Sequence, residues 1–152
     1  MITLDTIRKP VTAELEAFDG FVDRQFTAEG ELLADMLRYA LSSRGKGIRP
    51  LLVMLSAAMN SPVEGAAKGR RVHLAAMLVE MIHVASLIHD DVIDESDTRR
   101  GRPSANARWQ SHKAVILGDF ILARNMNIGL SSGQFDLVTH VCDSMAALCE
   151  GE

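Results

Sequence analysis

The chain has 152 residues, 47% of them hydrophobic, 24% charged and 5% aromatic, with four prolines and eight methionines. That balance fits one compact domain and excludes disordered, collagen-like and disulfide-dense architectures. A net charge of -4 offers no overall field to nucleic acid or an anionic membrane, so an anionic ligand must be met by local basic residues.

The N-terminus, Met1-Ile2-Thr3-Leu4-Asp5, lacks the basic region of a secretory signal. Apolar positions then recur at helical spacing and predict helices over residues 6–18, 29–44 and 50–59. Pro50 opens the third in its first turn, and Asn60, Ser61 and Pro62 close it. The longest helix is predicted over 66–94, where Val72, Ala75, Ala76, Val79, Ile82, Ser86 and Leu87 follow the 3, 4 and 7 rhythm of a heavily buried face. Its apolar stretch is broken by Glu80 and histidines, and no uncharged run approaches the roughly 20 residues of a membrane span. A cytoplasmic protein is expected.

Beyond Asp94 the chain turns polar through Arg99-Arg100-Gly101-Arg102-Pro103-Ser104, which is loop chemistry. Helices over 110–128 and 133–149 follow, the second with a core-facing stripe of Phe135, Val138, Val141, Met145 and Leu148. Cys142 and Cys149 are seven residues apart on one helical face, where reduced, small core hydrophobes are expected rather than zinc ligands. With no strand alternation and no repeat, the expected fold is an all-α helical bundle forming a single domain over 1–152.

The string His83-Val84-Ala85-Ser86-Leu87-Ile88-His89-Asp90-Asp91-Val92-Ile93-Asp94 carries the chemistry. Three carboxylates at i, i+1 and i+4 cannot enter a core unless neutralised, and acids at a helix C-terminus oppose the macrodipole. Asp90 and Asp94 share a face about 6 Å apart. Two such oxygens suit a hard cation such as Mg²⁺, which completes its octahedron with water and phosphate oxygens. Arg99, Arg100 and Arg102 follow in one loop, where guanidinium forks can share a diphosphate's charge with a metal. Upstream, Arg44-Gly45-Lys46-Gly47-Ile48-Arg49-Pro50 combines cations with glycines that let backbone approach a ligand. His83 shares the face of Asp90, roughly 10 Å away along the helix. Singly, these strings also read as a solvated helix end, a salt-bridge loop, a generic turn and a core histidine.

Together they resemble the trans-isoprenyl (polyprenyl) diphosphate synthases. Asp90-Asp91-Val92-Ile93-Asp94 looks like the family's first aspartate-rich motif, Arg99-Arg100-Gly101-Arg102-Pro103 like its RRGxP string, and Gly45-Lys46-Gly47-Ile48-Arg49-Pro50 like GKxxRP. Gly118-Asp119-Phe120 and Glu150-Gly151-Glu152 also fall at family-like positions, so that the likeness runs from about Leu37 to Glu152. It implies that Asp90 and Asp94 bind Mg²⁺ holding the allylic diphosphate, with Asp91 supporting them and Arg99 on the same phosphates. Lys46, Arg49, His83 and Arg100 would hold isopentenyl diphosphate. Small residues at Ala85 and Ser86, where short-product relatives carry a bulky aromatic, imply a medium to long product. Gly47 stands where many relatives carry a third basic residue, and Arg44 is expected to supply that charge.

The resemblance also implies a second aspartate-rich motif, which the sequence does not contain; the chain reads as the N-terminal half of such an enzyme, inactive when isolated. Completion by another chain, or a homodimer, is expected. Three other readings stand beside it. One is a non-catalytic or regulatory diphosphate-binding subunit. Another is an HD-type metal phosphohydrolase built on His89-Asp90 with His73, His83 or Asp119. The third, a terpene cyclase, would have no use for Lys46, Arg49 and His83.

Overall fold

The computed structural model describes residues 3–42, 45–60 and 69–151. Pro10 decides the shape of the N-terminal segment: it has no N–H, and its ring crowds the preceding turn. The helix expected over 6–18 is therefore two, α1 (Leu4–Arg8) and α2 (Thr12–Gln25), joined by a 3-10 turn over Lys9–Val11. Thr3 caps α1, its Oγ1 accepting the Thr6 N–H at 3.3 Å. Helices α3 (Glu31–Ser42) and α4 (Ile48–Asn60) follow near their predicted places, with Pro50 in the first turn of α4, where its missing N–H costs nothing. The expectations resting on Arg44, Ser61, Pro62, the first residues of the 66–94 helix and Glu152 lie outside the described residues.

Helix α5 (Arg70–Ile93) is the axis of the fold. Leu74, Ala76, Met77, Leu78, Met81, Ala85 and Ile88 are among its buried residues, and burying each large side chain contributes roughly 1.5–3 kcal/mol. By length and composition α5 could cross a membrane, yet 56% of its most apolar stretch is already buried within this chain. It packs chiefly on α7 (Ser111–Ser131) and α4, with α2, α6 (Ala105–Trp109) and α8 (Phe135–Gly151) around it. The α5–α7 contact is close because Gly118 presents no Cβ: one placed there would run into the His89 ring. Further along, the buried Asn125 donates from Nδ2 to the Leu78 carbonyl at 2.9 Å.

Two features depart from the expected bundle. Thr98–Arg99 (β1) and Arg102–Pro103 (β2) pair antiparallel as a small hairpin, with Thr98 opposite Pro103 and Arg99 opposite Arg102. Strands of two residues are too short to display alternation, so the segment read as loop. Helix α6 then starts at Ser104, whose Oγ accepts the Ala107 N–H at 3.0 Å and donates to the Ser96 carbonyl at 2.7 Å. The second departure is α8, where Val138 alone among the helix's described residues is buried. Phe135 and Leu148 are 63% and 53% exposed, so the core-facing stripe is correct at its centre and not at its ends. Cys142 is half-buried, 3.5 Å from the Met126 sulfur, whereas Cys149 is exposed and is no core hydrophobe in this chain.

Candidate functional site

The site assembles where α5 ends. The Asp94 N–H still bonds the Asp90 carbonyl at 2.8 Å, then Glu95 adopts φ 51° and the Ser96 N–H returns to the Asp91 carbonyl at 2.9 Å. This reversal brings β1 back along the last turn of the helix. There Arg99 donates from Nε to both Asp91 oxygens, at 3.0 and 3.3 Å, and from Nη2 to Oδ1 at 2.5 Å. Asp91 is 3% exposed. A carboxylate so buried needs this fork to offset its desolvation. The hydrogen bonds to Asp91 raise the Arg99 guanidinium pKa, and the charges of Asp90 and Asp94 add to the effect. Asp90 and Asp94 themselves are exposed.

Between the strands, Arg100 and Gly101 have φ 55° and 76°, the two positive values of a two-residue hairpin turn. For Arg100 the left-handed conformation costs about 1 kcal/mol, and it turns the guanidinium onto Gly45. Gly45 is required there twice over: its φ is 77°, and a Cβ would collide with the Arg100 guanidinium. The turn that carries Lys46 is thus packed against the hairpin. From its other side the Arg8 guanidinium donates to the Lys46 carbonyl, a contact no sequence signal announces because 38 residues separate the partners.

His83 lies between the two segments. Burial lowers its pKa, the nearby charges of Arg49, Arg100 and Arg99 lower it further, and Asp90 opposes them. The imidazole also stands between two hollows. One, of about 50 Å³, is lined by Tyr39, Ala40, Leu87, Asp91, Arg99 and Arg100 together with His83. The other, about 250 Å³, runs between α5 and α8 and is lined by Arg49, Val79, Ile82, His83, Ser86, Val141, Met145 and Leu148.

Of the residues singled out from sequence, Asp91, Arg99, Arg100, His83 and Arg49 converge, and Gly45 ties the Lys46 turn to them. Ser86 faces the larger hollow. Ala85 is fully buried, and it shares a helical face with Leu78 and His89, both of which contact α7. His73 is elsewhere: it is about 25 Å from Asp90 along α5, with Phe18 and Phe21 ring centroids at 6.4 and 5.8 Å. His89 Nε2 lies 3.4 Å from Asp119 Oδ1 and 3.3 Å from the Val115 carbonyl. Among the described residues no three His, Cys, Asp or Glu side chains form a ready metal cluster. Asp90 and Asp94 nonetheless fit a hard divalent ion of the Mg²⁺ kind, which needs only one or two carboxylates and keeps its remaining waters.

An all-α fold whose central helix ends in an acidic rim, cross-braced by arginines over an apolar hollow, is the architecture of an isoprenoid synthase half. The pattern of the polyprenyl synthetase family matches residues 30–152, and the chain belongs to that family. It is 32% identical over 146 residues to an all-trans-nonaprenyl-diphosphate synthase of Rhodobacter capsulatus, covering 96% of this chain and 44% of the relative. It is 34% identical over 151 residues to the octaprenyl diphosphate synthase of Escherichia coli K12, covering 99% and 45%. Its structure superposes on a decaprenyl diphosphate synthase from Rhodobacter capsulatus with TM-score 0.84 at 28% identity, covering 97% of this chain and 44% of that one. The chain therefore spans slightly less than half the length of each of these three relatives.

Proposed function

We propose that this chain supplies the acidic rim, the cationic basin and one wall of the tail pocket of a polyprenyl diphosphate synthase. Such a prenyltransferase condenses isopentenyl diphosphate with an allylic diphosphate. The observation that carries the reading is the setting of His83: cations from α4 and from the hairpin surround it on one side of the acidic rim, and an apolar hollow opens beneath.

In this reading Asp90 and Asp94 would hold Mg²⁺, which would supply positive charge to stabilise pyrophosphate leaving the allylic carbon. Arg99 meets the same phosphates. Its Nε and one Nη2 hydrogen are committed to Asp91, so the Nη1 edge is the one presented to an anion. Lys46, Arg49, His83 and Arg100 hold the diphosphate of isopentenyl diphosphate. Once the allylic C–O bond ionises, the isopentenyl double bond attacks the cation, and the proton then lost passes to the departed pyrophosphate. Val79, Ile82, Val141, Met145 and Leu148 keep water from that cation, a task for apolar side chains rather than for acids and bases. Ser86 leaves room for a growing tail, and the octaprenyl, nonaprenyl and decaprenyl products named for the relatives agree with a medium to long product. The rest of the pocket and the second aspartate-rich motif would come from further sequence or from a different chain, and the completed form would pair as a homodimer.

The test supplies Mg²⁺, an allylic diphosphate and labelled isopentenyl diphosphate to this chain alone and to this chain with a second half bearing the missing motif. Elongation is expected only in the completed form, and it should be lost in Asp90→Asn. A completed form that makes no carbon–carbon bond, or an Asp90→Asn variant as active as the parent, would sink the reading.

A further inference from the structure

The hairpin that carries Arg99 and Arg100 is too short to hold itself. Its two-residue strands cannot be stable alone, and its turn holds Arg100 in a left-handed conformation that costs free energy. Arg99 is anchored by Asp91 at β1. The anchor of β2 is a different residue, Tyr39 on α3.

The Tyr39 hydroxyl donates to the Pro103 carbonyl at 2.8 Å, across 64 residues of sequence. Its ring carries the Arg102 guanidinium 4.3 Å from the centroid and that of Arg108 at 4.6 Å. Trp109 meets the same ring edge-on at 5.1 Å with an interplanar angle of 83°. Arg102 also donates from Nη1 to the Ser42 Oγ at 3.1 Å, one helical turn along α3 from Tyr39. The phenol therefore grips β2 by its backbone and by a side chain at once, cation–π attraction adding to a hydrogen bond. Tyr39 also lines the small hollow with His83, Asp91, Arg99 and Arg100. Neither its position in α3 nor the likeness to the family singled it out.

We propose that Tyr39 is a positioning residue for diphosphate binding: by clamping Pro103 and Arg102 it fixes the strand that aims Arg100 at the Lys46 turn. The inference rests on the diphosphate-binding reading given above. Tyr39 acts through the hairpin chiefly by its ring, on which the guanidinium groups of Arg102 and Arg108 and the edge of Trp109 rest.

The test is calorimetric titration of this chain with inorganic pyrophosphate in Mg²⁺, with thermal unfolding recorded for each variant. Tyr39→Leu is expected to weaken binding about tenfold, and Tyr39→Phe, which keeps the ring, to restore most of that loss. Arg100→Gln is expected to weaken binding as well, and adding Tyr39→Leu to Arg100→Gln should cost little more, because the clamp then has no guanidinium to aim. Two losses that simply multiply would overturn the proposal, as would a Tyr39→Phe variant no better than Tyr39→Leu. Should Tyr39→Leu unfold, the Phe variant and its combination with Arg100→Gln decide by the same comparison. Parent protein that ignores pyrophosphate, with Lys46→Gln indistinguishable from it, would overturn the underlying diphosphate reading and this inference with it. Pyrophosphate binding lost in Lys46→Gln but unmoved in Tyr39→Leu would overturn this inference alone.

Discussion

The two sides of α5 are built to opposite ends. Toward α7 the helix is closed: Leu78, Ala85 and His89 lie along one face, Gly118 yields its Cβ to the His89 ring, and Asn125 bonds a helix carbonyl. Toward α8 the helix is open: Val79, Ile82, His83 and Ser86 line a hollow rather than a packed seam. One face therefore holds the helix in place and the other borders open space. Packing density, more than residue type, separates them, since small and apolar residues occur on both.

The comparison is broken most severely on the closed face. Leu117→Ala removes a fully buried side chain next to Gly118 and should cost about 2–5 kcal/mol by transfer and cavity terms. The expected result is a large fall in the urea midpoint, with pyrophosphate binding by the folded protein unchanged. Next come Ala85→Phe and Ser86→Phe, adjacent positions on different faces. Ala85→Phe drives a ring into the α7 contact and should cost about 1–3 kcal/mol. Ser86→Phe fills the hollow instead, shifting the midpoint by no more than about 0.5 kcal/mol and shortening the product of the completed enzyme. Equal destabilisation by both would mean that the faces are not distinct.

Asp91→Asn sharpens the same division, because Asp91 is the one carboxylate of the acidic string on neither the open face nor the rim. Its loss removes the hydrogen-bonded counter-charge of the Arg99 guanidinium and leaves only the unbonded charges of Asp90 and Asp94 acting on it. Arg99 is 35% exposed in its side chain, so the cost falls between the limits for buried and exposed pairs, about 1–3 kcal/mol. Unfolding by urea should report it, and Asp90→Asn should leave stability nearly unchanged.

The legible part of this molecule was what periodicity and turn chemistry encode. The heptad from Val72 to Leu87 announced α5, and Pro50 marked the first turn of α4. The aspartates, the RRGxP string and the GKxxRP element identified the family. Contacts across sequence were not legible. Asp91 read as support for metal and Arg99 as a phosphate ligand, while the fold makes them partners through a reversal at Glu95 that has no glycine to announce it. Pro10 splits the first helix, because apolar spacing carries across a proline that the backbone cannot follow. The Tyr39 clamp and the Arg8 contact with Lys46 depend on helices meeting in space, which spacing along one helix cannot reveal.

The smallest expected effect tests the electrostatics of the open face. Burial and the charges of Arg49, Arg100 and Arg99 hold the His83 imidazole below its usual pKa, with Asp90 pulling the other way. The unfolded chain takes up a proton near pH 6.5, whereas the folded chain still resists it. Stability is therefore fully present above that pH and is lost as pH falls through it, until the folded imidazole protonates in turn. His73, lowered by its own burial, contributes with the same sign from the other end of α5. The unfolding midpoint measured from pH 7.5 down to 5 should accordingly decline, and His83→Gln should remove part of the slope while leaving the His73 part. Pyrophosphate with Mg²⁺ should also flatten the parent's slope, because an anion among those arginines makes protonation of His83 less costly. A His83→Gln variant with the parent's full slope would show that burial and the three arginines together do not hold the imidazole below its usual pKa.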